Sequence, residues 1–357
     1  MTQPMTTRTA TSISEKDFEY QQKALGEVSR TFALTIPLLP KQLEQAVGNA
    51  YLLCRIADTI EDDEALSIDE KAQFSRELIE LVNGAEGSEQ FAAALAGKLG
   101  AETPESERDL VANTSQVLDI TRQLNKDQIK AINTCVSTMA TGMPEFQQRL
   151  TSHGLPDMAT LNSYCYYVAG VVGEMLTKLF CDYSEAIANQ RQPLTKLAYS
   201  FGQGLQLTNI LKDIWVDQKR GVCWLPQELF NRYGYDLKDL KDMHASPSLT
   251  AGMQHLVGVT RYHLGSALDY ALTIPRQEKE IRQFLVFPLL LALLTLRKIH
   301  HNSGDPDGSS IKISRRSVMI SALVVKFAAH HDRTLRQLVK MLTRGLPSVP
   351  PSTLRAV

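Results

Sequence analysis

Net charge is almost absent from this chain of 357 residues, in which 38 Lys and Arg face 39 Asp and Glu, a formal −1. Bulk charge therefore recommends neither nucleic acid nor an anionic membrane as a partner. Cysteine is scarce: Cys54, Cys135, Cys165, Cys181 and Cys223 are odd in number, scattered and without paired metal spacing. They read as reduced thiols of a cytosolic protein, not as a disulfide framework. Met1–Ser12 is polar and Thr-rich with no apolar segment, which excludes a secretory signal and leaves a disordered tail. The apolar run around Phe284–Leu296 is well short of the roughly 20 residues that span a bilayer, and it contains Pro288. No internal repeat occurs, and no Gly-x-Gly-x-x-Gly follows a strand pattern, since Gly202 and Gly204 lie inside helical periodicity. That argues against a Rossmann nucleotide site. His300-His301 and His330-His331 are sequence neighbours that do not share a helix face, so neither pair is read as a metal site.

What the chain does contain is 43% hydrophobic residues, arranged with helical periodicity and sufficient for a sizeable core. We expect an all-α fold with a single helical domain over residues 13–344, between tails at 1–12 and 345–357. Ser14 and Asp17 make a capping-box-like helix start, with the helix running to about Val28. Helical patterning then covers Lys41–Asp63, two amphipathic segments in residues 68–98 broken at Asn83-Gly84, and Leu110–Leu150 after a polar loop from Gly97 to Arg108. The region 68–150 reads as scaffold. Further helices are expected at Asp157–Phe180, Leu194–Asp217, Pro226–Arg232, Leu249–Tyr270 and Arg282–Arg297, with helical patterning to Leu342.

Two of these helices carry acids where apolar residues surround them. In Arg55-Ile-Ala-Asp58-Thr-Ile-Glu61-Asp62, the three carboxylates fall within roughly 100° on a helical wheel, with Arg55 beside them. In Asn209-Ile-Leu-Lys-Asp213-Ile-Trp-Val-Asp217, the three oxygen-bearing side chains fall within roughly 80°, while Lys212 points away by roughly 100°. The flanking residues are apolar nearly all round, as in a buried helix. Buried carboxylates are costly without a cation, and the expectation is two acidic faces looking at each other across a cavity. Such oxygen ligands suit Mg²⁺, which prefers carboxylates together with phosphate oxygens of a substrate. Arg30, in Ser29-Arg30-Thr31-Phe32, has a guanidinium that matches phosphate geometry. Lys219 and Arg220 follow the second acidic helix as cations able to hold phosphate or pair the acids. Tyr164, Tyr167, Gly170 and Gly173 share an apolar helix, the glycines permitting close approach by another helix or by a ligand. Spacing alone does not separate the two tyrosines.

Five stretches carry a resemblance. Tyr51-Leu-Leu-Cys-Arg-Ile-Ala-Asp58-Thr-Ile-Glu61-Asp-Asp63 resembles the first aspartate-rich motif of the squalene/phytoene synthase family, and Gln206-Leu-Thr-Asn209-Ile-Leu-Lys-Asp213-Ile-Trp-Val-Asp217 resembles the second. Ser29-Arg-Thr-Phe32, Tyr164-Cys-Tyr-Tyr167-Val-Ala-Gly170-Val-Val-Gly173 and Phe284-Leu-Val-Phe-Pro288 agree in the family's order. The Asp-Thr-Ile-Glu-Asp form and Trp224-Leu-Pro226-Gln-Glu are more similar to the squalene synthase branch. The pattern departs at Val222 and Cys223, where related squalene synthases carry a basic residue.

The resemblance implies an isoprenoid-synthase-type helical bundle around a central apolar cavity. It implies Mg²⁺ bound by Asp58, Glu61 and Asp62 at one end and by Asn209, Asp213 and Asp217 at the other. Diphosphate or substrate contacts would fall to Ser29, Arg30, Phe32, Arg55, Tyr167, Gln206, Lys219 and Arg220. It raises Tyr164 to a general acid/base, with Arg55 and Phe284 as further catalytic residues, and places the Phe284 helix along a tunnel for prenyl chains. The loop Ser303–Ser310 and its basic flank, Lys312, Arg315 and Arg316, would approach NADPH. The reaction implied is 1′–1 condensation of two farnesyl diphosphates through presqualene diphosphate, then reduction to squalene. Dehydrosqualene, presqualene diphosphate or phytoene are the alternative products, and a non-catalytic prenyl-lipid-binding protein is a remote alternative. The expected enzyme is a cytoplasmic monomer, peripheral at the membrane to which it delivers an oily product and without a spanning segment.

Overall fold

A computed structural model describes residues 13–149, 151–242, 246–302 and 311–349. The expected tail at 1–12, the part of the expected tail 345–357 from residue 350 onward, and the loop 303–310 lie outside the described residues. Among the described residues the structure is helical and has no strand, with one isolated parallel bridge between Leu155 and Pro226. The helices gather into two compact units, one reaching Ala140 and including Lys178–Tyr183, the other made of Thr141–Thr177 and the chain from Ser184 onward.

The axis of the first unit is the helix Lys41–Asp62. Leu43, Ala46, Val47, Ala50, Leu53, Ile56, Ala57 and Ile60 bury it on nearly every side, as its apolar sequence requires. The amide nitrogens of Asn49 and Gln21 find partners inside this packing, while Asn49 Oδ1 and Gln21 Oε1 are buried without one, a cost to the fold. Asn49 Nδ2 donates to Thr121 Oγ1 at 2.6 Å, and Gln21 Nε2 donates to the Gln45 carbonyl at 2.6 Å. Ser14 caps the helix Glu15–Val28 through the Asp17 N–H, as expected. Between Gly97 and Leu150 the structure is more divided than the sequence pattern suggests. A helix starts at Glu105, inside the expected polar loop, and the patterned stretch breaks into Glu105–Ala112, Thr114–Arg122 and Lys126–Arg149. Pro104 opens the first of these with Glu105 and Glu107 in its first turn, where carboxylates favour the helix dipole. The break before Lys126 is a reciprocal cap: Asn125 Oδ1 accepts from the Gln128 N–H at 2.9 Å, and Gln128 Oε1 accepts from the Asn125 N–H at 3.3 Å.

The second unit is built on Arg191–Lys219, Pro247–Thr273 and Lys279–His301. The expected helix at 157–180 is three consecutive pieces: Met158–Cys165, a π-helical turn Tyr166–Gly170, and Val171–Tyr183. Gly173 on this segment and Gly202 on Arg191–Lys219 serve the packing of the two helices. A Cβ on Gly202 would stand 2.1 Å from the Ala169 carbonyl oxygen, and one on Gly173 would stand 2.2 Å from that of Ala198. Backbone meets backbone there, and no side chain fits between.

Lys279–His301 is long and apolar enough to cross a membrane by length and composition, which the shorter apolar run in the sequence did not suggest. It runs through Pro288, and 67% of its most apolar window is buried within the protein, as in a core helix. At its start sits Arg282, 2% exposed, donating to the carbonyls of Ile274 at 2.7 Å and Leu272 at 3.0 Å and to Asp332 Oδ1 at 2.7 Å. Three segments are thus tied by one guanidinium, as its rigid fork of donors allows. Beyond the last helix Leu346 is buried, and Arg261 donates to the carbonyls of Leu346 and Pro347, the latter at 3.2 Å.

Burial acts to raise the Asp332 carboxyl, yet hydrogen bonds and charge from Arg276 and Arg282 hold it below its ordinary 3.8. A depressed carboxylate pKa adds stability above the unfolded pKa and loses it as pH falls through the folded one. Asp332→Ala should cost about 3 kcal/mol at neutral pH by leaving Arg282 without its counter-charge. Thermal unfolding across pH should show the gap from wild type closing below pH 3.8; a gap that persists there would refute the linkage.

Candidate active site

In the first unit the four acids of the first motif, Asp58, Glu61, Asp62 and Asp63, have different environments. Asp63 is a structural anchor: its carboxylate accepts from the N–H groups of Ala65 at 2.9 Å and Gly100 at 3.0 Å and from the Thr103 hydroxyl. Asp62 is exposed, Asp58 half-buried and Glu61 buried. Asp58 and Asp62, one turn apart, share the accessible face. Although 29% of the Asp58 side chain is solvent-accessible, burial pushes its carboxyl up to about 7; Arg55 opposes that push, and Asp62 and Glu107 add to it. Arg55 Nη1 lies 3.8 Å from Asp58 Oδ2, and its Nη2 donates to the Tyr51 hydroxyl at 2.8 Å. Its guanidinium stands 5.6 Å from the Tyr51 ring centroid, and that ring is 5.2 Å from Phe32. The Ser29 hydroxyl accepts from the Phe32 N–H at 3.0 Å, so the buried Ser29 shapes the turn that presents this ring, while Arg30 is exposed beside it.

Two residues of this cluster escaped the sequence reading. Glu107 accepts from Thr59 Oγ1 at 3.2 Å and adds a third carboxylate near Asp58. Lys71 donates to the Glu61 carbonyl at 2.5 Å, and the charges of Asp62 and Glu61 favour its ammonium against the burial that lowers its pKa. Neither has a local sequence signal, since each reaches the acidic helix from another element.

In the second unit Asn209 is exposed and Asp213 and Asp217 are half-buried along Arg191–Lys219, with Gln206 half-buried one turn earlier. Lys212 does not point away as the helical wheel implied. Its Nζ lies 3.0 Å from Asp213 Oδ2 and 3.5 Å from Asn209 Oδ1, because a four-carbon stem lets the charged head travel back to the acids. The helix ends at Lys219, and Lys219 and Arg220 are exposed there.

Aromatic side chains gather nearby in chain order. Tyr164 is buried and stacked on Trp224, centroids 3.7 Å apart and planes 11° from parallel, with Phe146 edge-on at 5.5 Å. Tyr167 lies 6.0 Å from Phe146 and fills the space where Gly142 lacks a side chain. Trp224 is delivered by a short pairing: Leu155 N–H donates to the Leu225 carbonyl at 2.8 Å, and Gln227 N–H to the Leu155 carbonyl at 2.8 Å. Gly154 permits it, with φ +92° and a would-be Cβ 2.4 Å from the Leu225 carbonyl oxygen. Phe284 is buried on Lys279–His301. Lys312, Arg315 and Arg316 are exposed around the Ser314 cap of the helix Arg315–Ala328.

Among the described residues no three His, Cys, Asp or Glu side chains converge closely enough to enclose a cation. Mg²⁺ does not require such a cage, since it usually takes one or two carboxylates with substrate phosphates and water. The donor sets fit that habit. The Asp58 carboxyl carries repulsion from Asp62 and Glu107 that a cation would relieve. The Asn209 and Asp213 oxygens already converge on one ammonium, that of Lys212, which stands where a cation can be held.

The model of the squalene/phytoene synthase family matches residues 25–317. The chain belongs to that family. Members of this family related to the chain are prenyltransferases. The squalene synthase ERG9 of Candida albicans is 26% identical over 295 residues, covering 81% of this chain and 63% of that protein. The Bos taurus squalene synthase is 29% identical over 286 residues, covering 78% and 63%. The chain therefore spans about 63% of the length of these relatives. Among solved structures, TcSQS with the ligand E5700 superposes with a TM-score of 0.76 at 23% identity, over 92% of this chain and 91% of that one. A dehydrosqualene synthase in complex with ligand gives 0.64 at 24%, over 87% and 96%. These likenesses show the fold, an all-α isoprenoid-synthase-type architecture.

In this family member the Gly154 contact generates a test. Gly154→Ala strains a left-handed backbone position and should cost about 1–3 kcal/mol. It should also loosen Trp224 from Tyr164, seen as a red shift of tryptophan emission before unfolding. Unchanged melting and emission would show that Trp224 is placed by something else.

Proposed function

We propose that the chain is a prenyltransferase that condenses two farnesyl diphosphates 1′–1 to presqualene diphosphate and reduces that intermediate with NADPH to squalene. The observation that carries the proposal is the accessible pair Asp58 and Asp62 on a helix otherwise buried, with Arg55 bonded beside them. An acid pair so placed is costly for the fold alone and useful to a cation–diphosphate complex.

Asp58 and Asp62, with Glu61 behind them, would hold one Mg²⁺–diphosphate, and Asn209, Asp213 and Asp217 the other. Bound Mg²⁺ supplies Lewis-acid neutralisation of the diphosphate charge. Arg55 and Arg30 serve the departing diphosphate at the first face, and Lys219 or Arg220 at the second, as preorganised cations where negative charge develops. Departure leaves an allylic cation that water would quench. The aromatic set Tyr164, Trp224, Phe146 and Tyr167 offers π faces that attract such a cation and a wall that excludes water. Joining the two C15 units forms a cyclopropane and releases one diphosphate and one proton, and the Tyr164 phenol is the group assigned to move that proton. Loss of the second diphosphate, rearrangement and hydride capture from NADPH complete squalene.

A second reading keeps the first half-reaction and changes the end. Likeness to a dehydrosqualene synthase, at TM-score 0.64, supports dehydrosqualene as the product when no hydride is delivered.

The test is the hexane-extractable product from purified protein with farnesyl diphosphate and Mg²⁺, with and without NADPH. Squalene formed only with NADPH is expected. Dehydrosqualene or presqualene diphosphate unaffected by NADPH, or turnover of a C20 diphosphate alone, would overturn the squalene assignment. Asp58→Asn and Asp213→Asn should each slow diphosphate release by at least about a hundredfold, with circular dichroism and melting showing an intact fold; full turnover in either would remove it from the site.

A further inference from the structure

The helix Arg315–Ala328 presents a face that the catalytic proposal does not use. Met319 is 72% exposed, Phe327 65%, Leu323 58% and Ile320 53%. On a helical wheel these four fall within roughly 100°, a continuous apolar stripe along a rod roughly 21 Å long. The opposite side, Ser321, Val325 and Ala328, is buried against the rest of the second unit. Scattered single hydrophobics are ordinary on a surface, but four on one helix face are not.

Charge identifies what the stripe fits. From Ile311 to His331 the sequence holds Lys312, Arg315, Arg316 and Lys326 and no Asp or Glu. All four cations are exposed, and the excess of four positive charges sits on a chain whose formal total is −1. Lys326 and Arg315 lie roughly 20–40° beyond the Met319 edge of the stripe, and Arg316 lies at its N-terminal end. The next acid, Asp332, is engaged by Arg276 and Arg282. An apolar face rimmed by cations is the pattern of a helix lying in the headgroup plane of an anionic bilayer, side chains in the acyl boundary and cations on lipid phosphates. A second copy of the chain fits less well, because a two-fold contact through this face would set Lys326 of one copy against the Arg315 and Arg316 end of the other.

We propose that Arg315–Ala328 is a membrane-docking helix that seats the protein on anionic lipid, with Met319, Ile320, Leu323 and Phe327 inserted and Arg315, Arg316 and Lys326 on the headgroups. This assigns to lipid phosphate the arginine pair that the family resemblance offers to a nucleotide. The proposal stands whichever prenyl product the enzyme makes, though an enzyme with an oily product gains a place to deliver it.

Sedimentation of the full-length protein with vesicles of phosphatidylcholine, alone or with about one third phosphatidylglycerol, decides it. Wild type should partition at least about tenfold more strongly onto the anionic vesicles, less so as salt screens the cations. The double variant Leu323→Ser/Phe327→Ser and, separately, Arg315→Gln/Arg316→Gln should each lose about tenfold or more of that binding while melting as wild type does. No anionic preference, or unchanged binding in both variants, would overturn the proposal. So would lipid-free self-association that Leu323→Ser/Phe327→Ser abolishes while vesicle binding is absent.

Discussion

The arrangement of the first unit turns on the cost of holding a carboxylate on a helix whose other sides are apolar. Asp58 shares its helix with the buried Leu53, Ile56, Ala57 and Ile60, with Asp62 and Glu107 close enough to oppose its ionisation and Arg55 the cation that answers them. Hydrophobic burial alone would place a leucine there. Keeping an acid makes sense when part of its neutralisation comes with a ligand, and the proposed function would bring that ligand to the accessible Asp58–Asp62 edge. Asp63, immediately following, shows the contrast: the same functional group, fully served by backbone N–H donors and a threonine, is held below its ordinary pKa and fixes a loop.

Close backbone packing does the corresponding work in the second unit. Gly173 and Gly202 bring the helix carrying Tyr164 against the helix carrying Asn209, Asp213 and Asp217. Gly154 lets the segment before Tyr164 pair with the segment after Asp217, and that pairing lays Trp224 on the Tyr164 ring. Aromatic wall and acidic helix are therefore positioned by three places where only hydrogen fits. The π-helical turn, in which the Val171 N–H bonds to the Tyr166 carbonyl, lies at the same junction, a placement frequent at functional sites.

Much of this was legible in sequence because it is local. Periodicity located the acidic helices, Ser14 and Asp17 marked a cap, and the wheel put Asp58 and Asp62 on one face. What was hidden depends on reach or on distant segments. Lys212 was placed by its Cα direction, but its ammonium follows a flexible stem to Asp213. Glu107 and Lys71 come to Asp58 and Asp62 from other helices, and no spacing rule links them. The break at Asn125–Gln128 is a side-chain cap inside an unbroken apolar pattern, so periodicity passed over it. Arg282 was legible only as the first residue of an expected helix, yet its carbonyl and Asp332 partners make it a buried tie.

The central claim is that both acidic faces are cation–diphosphate sites, not solvated helix edges. Thermal unfolding of the protein with Mg²⁺, with inorganic diphosphate, and with both together tests it most directly. Cooperative stabilisation by the pair is predicted, about 1.4 kcal/mol when the complex is at ten times its dissociation constant, with Asp62→Asn removing part of it. Equal melting under these three conditions and in the protein alone, with or without Asp62, would contradict the account.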